Sequence, residues 1–356
     1  MKKTFLILLL LAAPVLASAQ YWTSLDRDIK GMRDQLAPDF SLDYGDWVQY
    51  GPGVVTYGMK AFGLESRSGW GRMLTSQILG TGLLVAIDGG LKYVVGRERP
   101  NFSANNSFPS GHTATVFLTA GWLHTEYGWR YPWVDAIGYG LGVTTAVQRL
   151  LSNMHWATDT MAGAAVGMFA NFAGYWLADR ILGNREGFWG ISPNWSAPEV
   201  DYDQALKYFE AEFFYTLSFP LWQNSLYPAS GSGMGVQARV PYGTKGRGIL
   251  VRGSVTGFSL DNGNDFDMSW FAGAGSGREL LLAPRWEAGL YALAGCSHWE
   301  SGHRFAGIAG ASMSYIAGYS SKLKLFAEYA LHPHNGVSGS TDFHSVNVGA
   351  SAVLYF

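Results

Sequence analysis

Two histidines, three cations and one carboxylate stand in three short clusters between positions 92 and 159: Lys92 with Arg99-Pro100, then Pro109-Ser110-Gly111-His112, then Arg149 with His155 and Asp159. Such a set can hold a phosphate, attack it and protonate what leaves. His155 and Asp159 are four residues apart, a spacing that on a helix puts both on one face a turn apart. A carboxylate in that place accepts the Nδ1 proton of the imidazole, fixes its tautomer and leaves Nε2 free as a nucleophile. Arg149, six residues before His155, is spaced to fork onto phosphate oxygens during the attack. Pro109–His112 reads as a turn entering the apolar helix Thr113–Leu123. Ser110 can cap that helix, the Gly111 amide and the helix N-terminus can cradle an anion, and His112 stands beside it as an acid. Lys92 and Arg99 add positive charge against the oxygens of the transition state. A neutral His155 and a protonated His112 together predict a bell-shaped pH–rate profile.

Each cluster alone has a plainer reading. A single histidine in an apolar stretch is more often a packed core or interface residue, and Pro-Ser-Gly-His is a serviceable turn and cap. Lys92 and Arg99, beside Arg97 and Glu98, can be a solvated charge cluster. The order and spacing of the three favour the joint reading. Together they resemble the type 2 phosphatidic acid phosphatase and vanadium haloperoxidase superfamily, whose signature is Lys-x6-Arg-Pro, Pro-Ser-Gly-His and Ser-Arg-x5-His-x3-Asp. Lys92 through Arg99-Pro100 matches the first motif, residues 109–112 the second, and Arg149-x5-His155-x3-Asp159 the third, with Gln148 in place of the usual serine. That departure touches a supporting position. The resemblance covers residues 70–180 and implies a mostly helical phosphatase domain needing no metal or other cofactor. In it His155 becomes phosphorylated, Asp159 orients it and His112 protonates the leaving alkoxide. Lys92, Arg99, Ser110, Gly111 and Arg149 would bind the phosphoryl oxygens.

The elements that must position these residues are legible as helices. From Asp39 to Leu182 the apolar stretches Met73–Ile87, Thr113–Leu123, Ala136–Val147 and Thr160–Ala178 have helix length and are separated by Gly and Pro clusters. Thr160–Ala178 is uncharged and about long enough to span a bilayer, although rich in Ala and Gly; the others are interrupted by Asp88, His124, Asp135 or Arg149. A packed bundle touching membrane on one side is expected, with a multi-pass membrane domain as the alternative. Charged residues make up only 15 % of the 356, aromatics another 15 %, and the formal net charge is −2. This composition excludes a generally basic nucleic-acid-binding surface and suits a membrane-associated chain. The single Cys296 excludes an internal disulfide and a cysteine-based metal site, and is expected to be a small buried hydrophobe. Lys2 and Lys3, the apolar run Phe5–Leu16 and Ala17-Ser18-Ala19 form the pattern of a cleavable export signal over residues 1–19.

Past a Gly-, Pro-, Ser- and Asn-rich linker, expected at 184–205, the hydrophobic period changes to two. Phe266, Met268, Trp270, Ala272 and Ala274 alternate with Asp267, Ser269, Phe271 and Gly273; Leu323, Leu325, Ala327, Tyr329 and Leu331 alternate with Lys322, Lys324, Phe326 and Glu328. The final segment alternates Val346, Val348, Ala350, Ala352, Leu354 and Phe356 with Ser345, Asn347, Gly349, Ser351, Val353 and Tyr355. Further segments near 209–219, 234–241, 247–257, 285–297 and 304–316 bring the expectation to about eight antiparallel strands over 206–356. The terminal Phe356, with apolar residues at every second position before it, resembles the end of a bacterial outer-membrane barrel. A soluble sandwich would place larger side chains on its second face; the Gly, Ser, Ala and charges found there suit a narrow barrel interior. The remaining histidines, His298, His303, His332, His334 and His344, read as exposed loop residues, and His124 as a helix end.

The expected fold is therefore α + β in two domains, a helical phosphatase bundle (20–183) followed by a small transmembrane β-barrel. The expected activity is hydrolysis of phosphate from a membrane lipid through a phosphohistidine, with the phosphatase domain in the periplasm and the barrel in the outer membrane. The substrate class spans phosphatidate-like lipids, polyprenyl pyrophosphates and lipid A phosphates, and the partners are that lipid and the bilayer, with no nucleic acid. The alternatives are a vanadium-dependent haloperoxidase, and a barrel acting as an adhesin or pore with an inactive phosphatase-like domain.

Overall fold

In the computed structural model the described residues are 24–42, 44–196, 208–221, 230–243, 246–259, 266–299, 302–316, 321–333 and 342–355. The export segment, His334 and Phe356 fall outside them. The chain forms two compact units that divide between Ala197 and Pro198.

The first unit holds α1 (Ser24–Leu36), α2 (Gly45–Val48), α3 (Gly51–Ala61), α4 (Trp70–Val95), α5 (Gly111–Leu123), α6 (Trp133–Leu151) and α7 (Ala157–Leu182). A π-helical turn at His124–Gly128 follows α5, so His124 does end an α-helix, its Nδ1 facing Asp135 Oδ2 at 3.0 Å. α4 continues past Asp88, where an interruption was expected, because Lys92 one turn later neutralises that carboxylate at 2.6 Å. α7 packs against both α4 and α5. Glycines make this possible: a Cβ on Gly163 would meet the Ser110 carbonyl oxygen at 2.5 Å, and one on Gly167 the Ala114 carbonyl oxygen at 2.2 Å. Leu84, Ala114, Leu118 and Ala170 form the core between the three helices. The outward side of α4 carries exposed Leu74, Ile78, Val85, Tyr93 and Val94. Among the described residues α4 is the one helix long and apolar enough to cross a membrane by length and composition. The expected Thr160–Ala178 run does not qualify, since its glycines and Asn171 lower its hydropathy.

The start of the expected linker is instead part of this unit. Ile191 bridges Ser68 in antiparallel fashion, and the Ser192 amide donates to the Arg67 carbonyl at 2.8 Å. Arg67 and Arg72 share Asp179 near the end of α7 at 2.7 and 2.8 Å.

The second unit is a closed barrel of eight antiparallel strands in sequential order, β1 pairing with β8. Its strands are β1 (Glu210–Pro220), β2 (Gly231–Pro241), β3 (Arg247–Ser259), β4 (Phe266–Ala283), β5 (Trp286–Trp299), β6 (Gly302–Ile316), β7 (Ser321–His332) and β8 (Phe343–Tyr355). The period of two sorts side chains as the sequence suggests. In β7, Lys322, Lys324, Phe326, Glu328 and Ala330 are buried inside, while Leu323, Leu325, Ala327 and Tyr329 are exposed outside. Aromatic side chains stand outward near both ends, Tyr242, Trp286 and Tyr315 at one and Phe219, Trp270 and Phe305 at the other.

Side chains fill the lumen. Lys322 Nζ reaches Glu210, Glu279 and Glu287 at 2.7, 2.8 and 2.8 Å, and Lys324 Nζ reaches Glu212 at 2.9 Å. Arg252 donates to Glu328 at 2.7 Å and to Gln237 at 2.9 Å, with its guanidinium 4.8 Å from the Phe214 ring centre. Beyond this layer Leu250, Phe271, Leu293, Ala306, Ile308 and Ala330 pack together. Two sequence expectations are corrected here. Cys296 is exposed, because it shares the outward phase of β5 with Ala292 and Ala294. His332 is a buried lumen residue, its Nδ1 2.9 Å from Ser297 Oγ, because β7 runs on to it. His298 and His303 are exposed but face each other across the β5–β6 pairing, and His344 lies in β8 bonded to the Tyr329 hydroxyl.

Candidate active site

Gly96, in the left-handed region at φ 56°, ends α4 and turns the chain into the loop that carries Arg97, Arg99 and Ser107. Lys92 lies in the last turn of α4. Its ammonium reaches the start of α5, where a Cβ on Gly111 would stand 3.0 Å from Nζ. The loop closes on itself, the Arg99 amide donating to Ala104 O at 2.9 Å and the Ser107 amide to Arg97 O at 2.9 Å. It then passes Ser110 into α5. There the Ser110 amide donates to the Asp159 carbonyl at 3.0 Å, fastening the start of α5 to the first turn of α7. The second and third sequence clusters, which stand apart in the chain, are thus joined by main chain.

Ser110 occupies the N-cap position of α5, as expected, but its hydroxyl does not cap the helix. It accepts from Thr113 Oγ1 at 3.0 Å and is fully buried. His112, in the first turn, donates from Nε2 to Asp46 Oδ1 at 2.5 Å. Asp46 belongs to the short helix α2 and is largely exposed.

Arg149 lies in the last turn of α6, buried to 3 % exposure. Its charge acts on both Arg99 and His155, so the three share one electrostatic neighbourhood. Burial, reinforced by Arg149, holds Arg99 below the usual guanidinium range, and Arg99 also donates to Asn106 Oδ1 at 2.9 Å. Gln148, at the position where the motif has serine, donates to Leu42 O at 2.9 Å and to Ser152 Oγ at 2.8 Å, so it braces the α6 end from behind.

The His155–Asp159 pair differs from the expected geometry. His155 precedes α7 rather than lying on it; Trp156 is the N-cap and α7 begins at Ala157. Nδ1 of His155 donates to the Ser107 carbonyl at 2.7 Å, and the nearest Asp159 oxygen is 3.8 Å away. Asp159 Oδ2 instead accepts from the Ser107 hydroxyl and from the Trp156 amide, the latter at 2.8 Å, while Oδ1 accepts from Arg97 at 2.7 Å. Asp159 therefore orients the histidine through Ser107 and the backbone. The tautomer is the one expected, with the proton on Nδ1 and the lone pair on Nε2. Burial, together with Arg149, holds His155 below the usual imidazole value against the raising pull of Asp159, which keeps it neutral near pH 7. Burial pushes Asp159 up, but His155, Arg97 and the Ser107 hydroxyl outweigh it, and its carboxyl stays below the usual range.

Sequence reasoning missed Ser107, Asp46, Arg97 and Asp88 as neighbours of the site. Asp88 had a signal, its i,i+4 spacing to Lys92. Arg97, which only the plainer reading of the first cluster touched and placed in solvent, is 1 % exposed. A cleft lined by Lys60, Glu65, Trp70, Arg72, Arg185 and Phe188 lies at the opposite end of α4 and contains none of these residues.

Residues 73–181 match the family model of the PAP2 superfamily. A lipid A 1-phosphatase from Porphyromonas gingivalis is 38 % identical over 176 residues, which cover 49 % of this chain and 40 % of that protein. The matched part thus spans about two fifths of the length of that curated relative. Among solved structures, a transmembrane PAP2-type phosphatidylglycerolphosphate phosphatase from Bacillus subtilis is similar at 19 % identity and a TM-score of 0.36, over 50 % of this chain and 98 % of that one. Neisserial surface protein A is similar at 12 % identity and a TM-score of 0.33, over 42 % of this chain and 96 % of that one.

Proposed function

Residues 73–181 form a PAP2 superfamily domain, and from that premise we propose that the protein hydrolyses a phosphate ester of a membrane lipid, with His155 as nucleophile. The carrying observation is the geometry of His155: buried, fixed by the Ser107 carbonyl at Nδ1 so that the Nε2 lone pair is available, and close to Arg149, whose charge adds to burial in favouring the neutral imidazole. Nε2 attacks phosphorus and the P–O bond to the lipid breaks. His112 gives its proton to the departing oxygen, leaving an alcohol and a phosphohistidine. Water, losing a proton to His112, then attacks the phosphohistidine; inorganic phosphate leaves and His155 is regenerated. Lys92, Arg99, Arg149 and the amides at the start of α5 hold the phosphoryl oxygens as charge builds on them.

The lipid substrate is supported by the barrel, whose outward apolar surface requires a bilayer and so keeps the enzyme among lipids. Of the substrates expected from sequence, lipid A phosphate is favoured by the name of the Porphyromonas relative. The connections at 242–246, 284–285 and 317–320 lie at the end of the barrel where β1 starts and β8 finishes, and those at 221–230, 260–265, 300–301 and 333–342 lie at the other, which carries the longest ones. Outer-membrane barrels keep short turns and both chain ends on the periplasmic side, which supports a periplasmic phosphatase domain.

The test is phosphate release by the purified full chain in detergent from lipid A, phosphatidate and polyprenyl pyrophosphate, with His155→Ala as control. Release from a lipid that His155→Ala abolishes is expected. Release that survives His155→Ala, or that occurs only from soluble esters, contradicts the proposal.

A further inference from the structure

Behind the nucleophile lies a second buried ion system that the three motifs do not include. Arg97 is one of the unspecified residues of the first motif, and Asp26 stands on α1, outside the matched family region. Arg97 donates from one guanidinium nitrogen to Asp159 Oδ1 and to Thr158 Oγ1, both at 2.7 Å, and from another to Asp26 Oδ2 at 2.6 Å. Its guanidinium lies 5.5 Å from the ring centre of Trp156, the residue after His155. Trp156 in turn donates from Nε1 to Glu98 O at 2.8 Å, binding the loop after α4 to the start of α7. Asp26 Oδ1 accepts from the Thr158 amide at 3.0 Å, so α1 supplies a carboxylate to the positive end of α7.

All three charged side chains are at most 1 % exposed. Burying two carboxylates and a guanidinium is costly unless their geometry is tightly matched, and here Arg97 joins Asp26 to Asp159, the residue that holds Ser107 and, through it, His155. We infer that Arg97 and Asp26 are positioning residues for His155, Arg97 clamping the Asp159 carboxylate and Asp26 locking Arg97 in place from α1. This deepens the phosphatase reading and rests on it.

The charged groups facing His155 are Asp159 on α7 and Arg149 on α6, with Arg97 and then Asp26 behind Asp159. The two positioning residues carry opposite charges, so removing them must move the protonation of His155 in opposite directions. Arg97→Gln takes away a positive charge, favours the imidazolium and shifts the acid limb of kcat/KM to higher pH. Asp26→Asn takes away a negative charge, disfavours the imidazolium and shifts that limb to lower pH. Neither residue touches substrate, so kcat should fall about 10- to 100-fold with KM changed little. Arg97→Lys keeps the charge but not the two-armed fork, and should leave the limb near its original pH while kcat remains reduced.

The experiment measures phosphate release against pH for the full chain and the three variants, alongside the titration of the 13C-labelled His155 ring by NMR in the same detergent. Opposite displacements of the titration in Arg97→Gln and Asp26→Asn support the inference. Unchanged titrations, or displacements in the same direction, overturn it even if kcat falls, because a purely structural role would lower kcat without that signature. The NMR arm needs no substrate: full displacement with no phosphate release from any lipid counts against the phosphatase reading alone. If Arg97→Gln does not fold, Asp26→Asn and Arg97→Lys decide the matter, and an unmoved Asp26→Asn titration overturns the inference.

Discussion

His155 is held by the carbonyl of Ser107, 2.7 Å from Nδ1, and not by the carboxylate of Asp159, which stands 3.8 Å off. The proton on Nδ1 is thus fixed by main chain, and Asp159 works by fixing that main chain. This arrangement tolerates the low dielectric around a buried imidazole, because it aligns the ring without placing a full charge in direct contact with it.

The first consequence is a pH profile. Burial and Arg149 depress the His155 pKa, so the neutral imidazole that the proposed attack needs persists below the ordinary value of about 6.5. The acid limb of kcat/KM for a lipid phosphate should accordingly have its midpoint below about pH 6.5. A limb that rises only above neutrality would contradict the assignment of His155.

A second prediction concerns His112 and its partner. His112→Ala should lower kcat about 10²- to 10⁴-fold on an alkyl phosphate, the usual worth of a general acid. The loss should shrink sharply on p-nitrophenyl phosphate, whose leaving oxygen needs no proton. Asp46→Asn, which keeps the shape but weakens the hold on Nε2, should give a smaller loss with the same dependence on leaving group. Equal losses on both substrates would show that His112 does not donate the proton.

Helix packing supplies a third. A Cβ on Gly167 would collide with the Ala114 carbonyl, so Gly167→Val must push α5 from α7 and pull Ser110 away from Asp159. Overpacking of this kind costs about 1–3 kcal/mol or more, and activity should fall with the thermal midpoint. Gly82→Ala makes the contrast: its Cβ enters open space on α4, and the change should be neutral or stabilising by about 0.5–1 kcal/mol.

The barrel carries a fourth. Lys322→Met leaves Glu210, Glu279 and Glu287 without their shared cation in a closed lumen. Losing one partner of a buried ionic cluster costs about 3–5 kcal/mol, which should appear as a lower urea midpoint in detergent. Wild-type stability in the variant would mean that water reaches the cluster.

A fifth follows from the same filled lumen: the full chain in a planar bilayer should show no steady ionic conductance. Stable channels would refute a barrel that serves as an anchor and restore the pore reading.

The sequence carries the barrel in unusual detail because a closed sheet with one face to lipid must alternate strictly. Lys322, Lys324 and Glu328 could therefore be assigned to the inward side from phase alone. The same rule, applied to β5, would have placed Cys296 outside; the general tendency of cysteine to be buried misled where the strand phase did not. In the helical unit the three motifs located the candidate chemistry, and the helix periods located α4 to α7. What stayed hidden depends on contacts between distant segments. Asp26 pairs with Arg97 across 71 positions, and nothing in the polar pattern of α1 foretells it. Ser107 acts through its carbonyl, which every residue possesses. The helical placement of His155 failed because Asp159 uses its side chain on the amide of the N-cap Trp156, so that α7 starts at Ala157, two residues past the histidine.

The lysine at the start of β7 has one more consequence, for assembly. Glu210 and Lys322 sit on strands that are neighbours only through β8, and β8 is also the strand that closes the ring against β1. Glu279 and Glu287, on β4 and β5, are linked to β7 through consecutive hairpins, but until closure Glu210 is on the free edge at the other end of the sheet. The third ion pair forms only when the first and last strands meet in the right register. A one-residue slip at that seam would turn Glu210 outward and strand it against lipid, so the cluster rewards correct closure and penalises the nearest error.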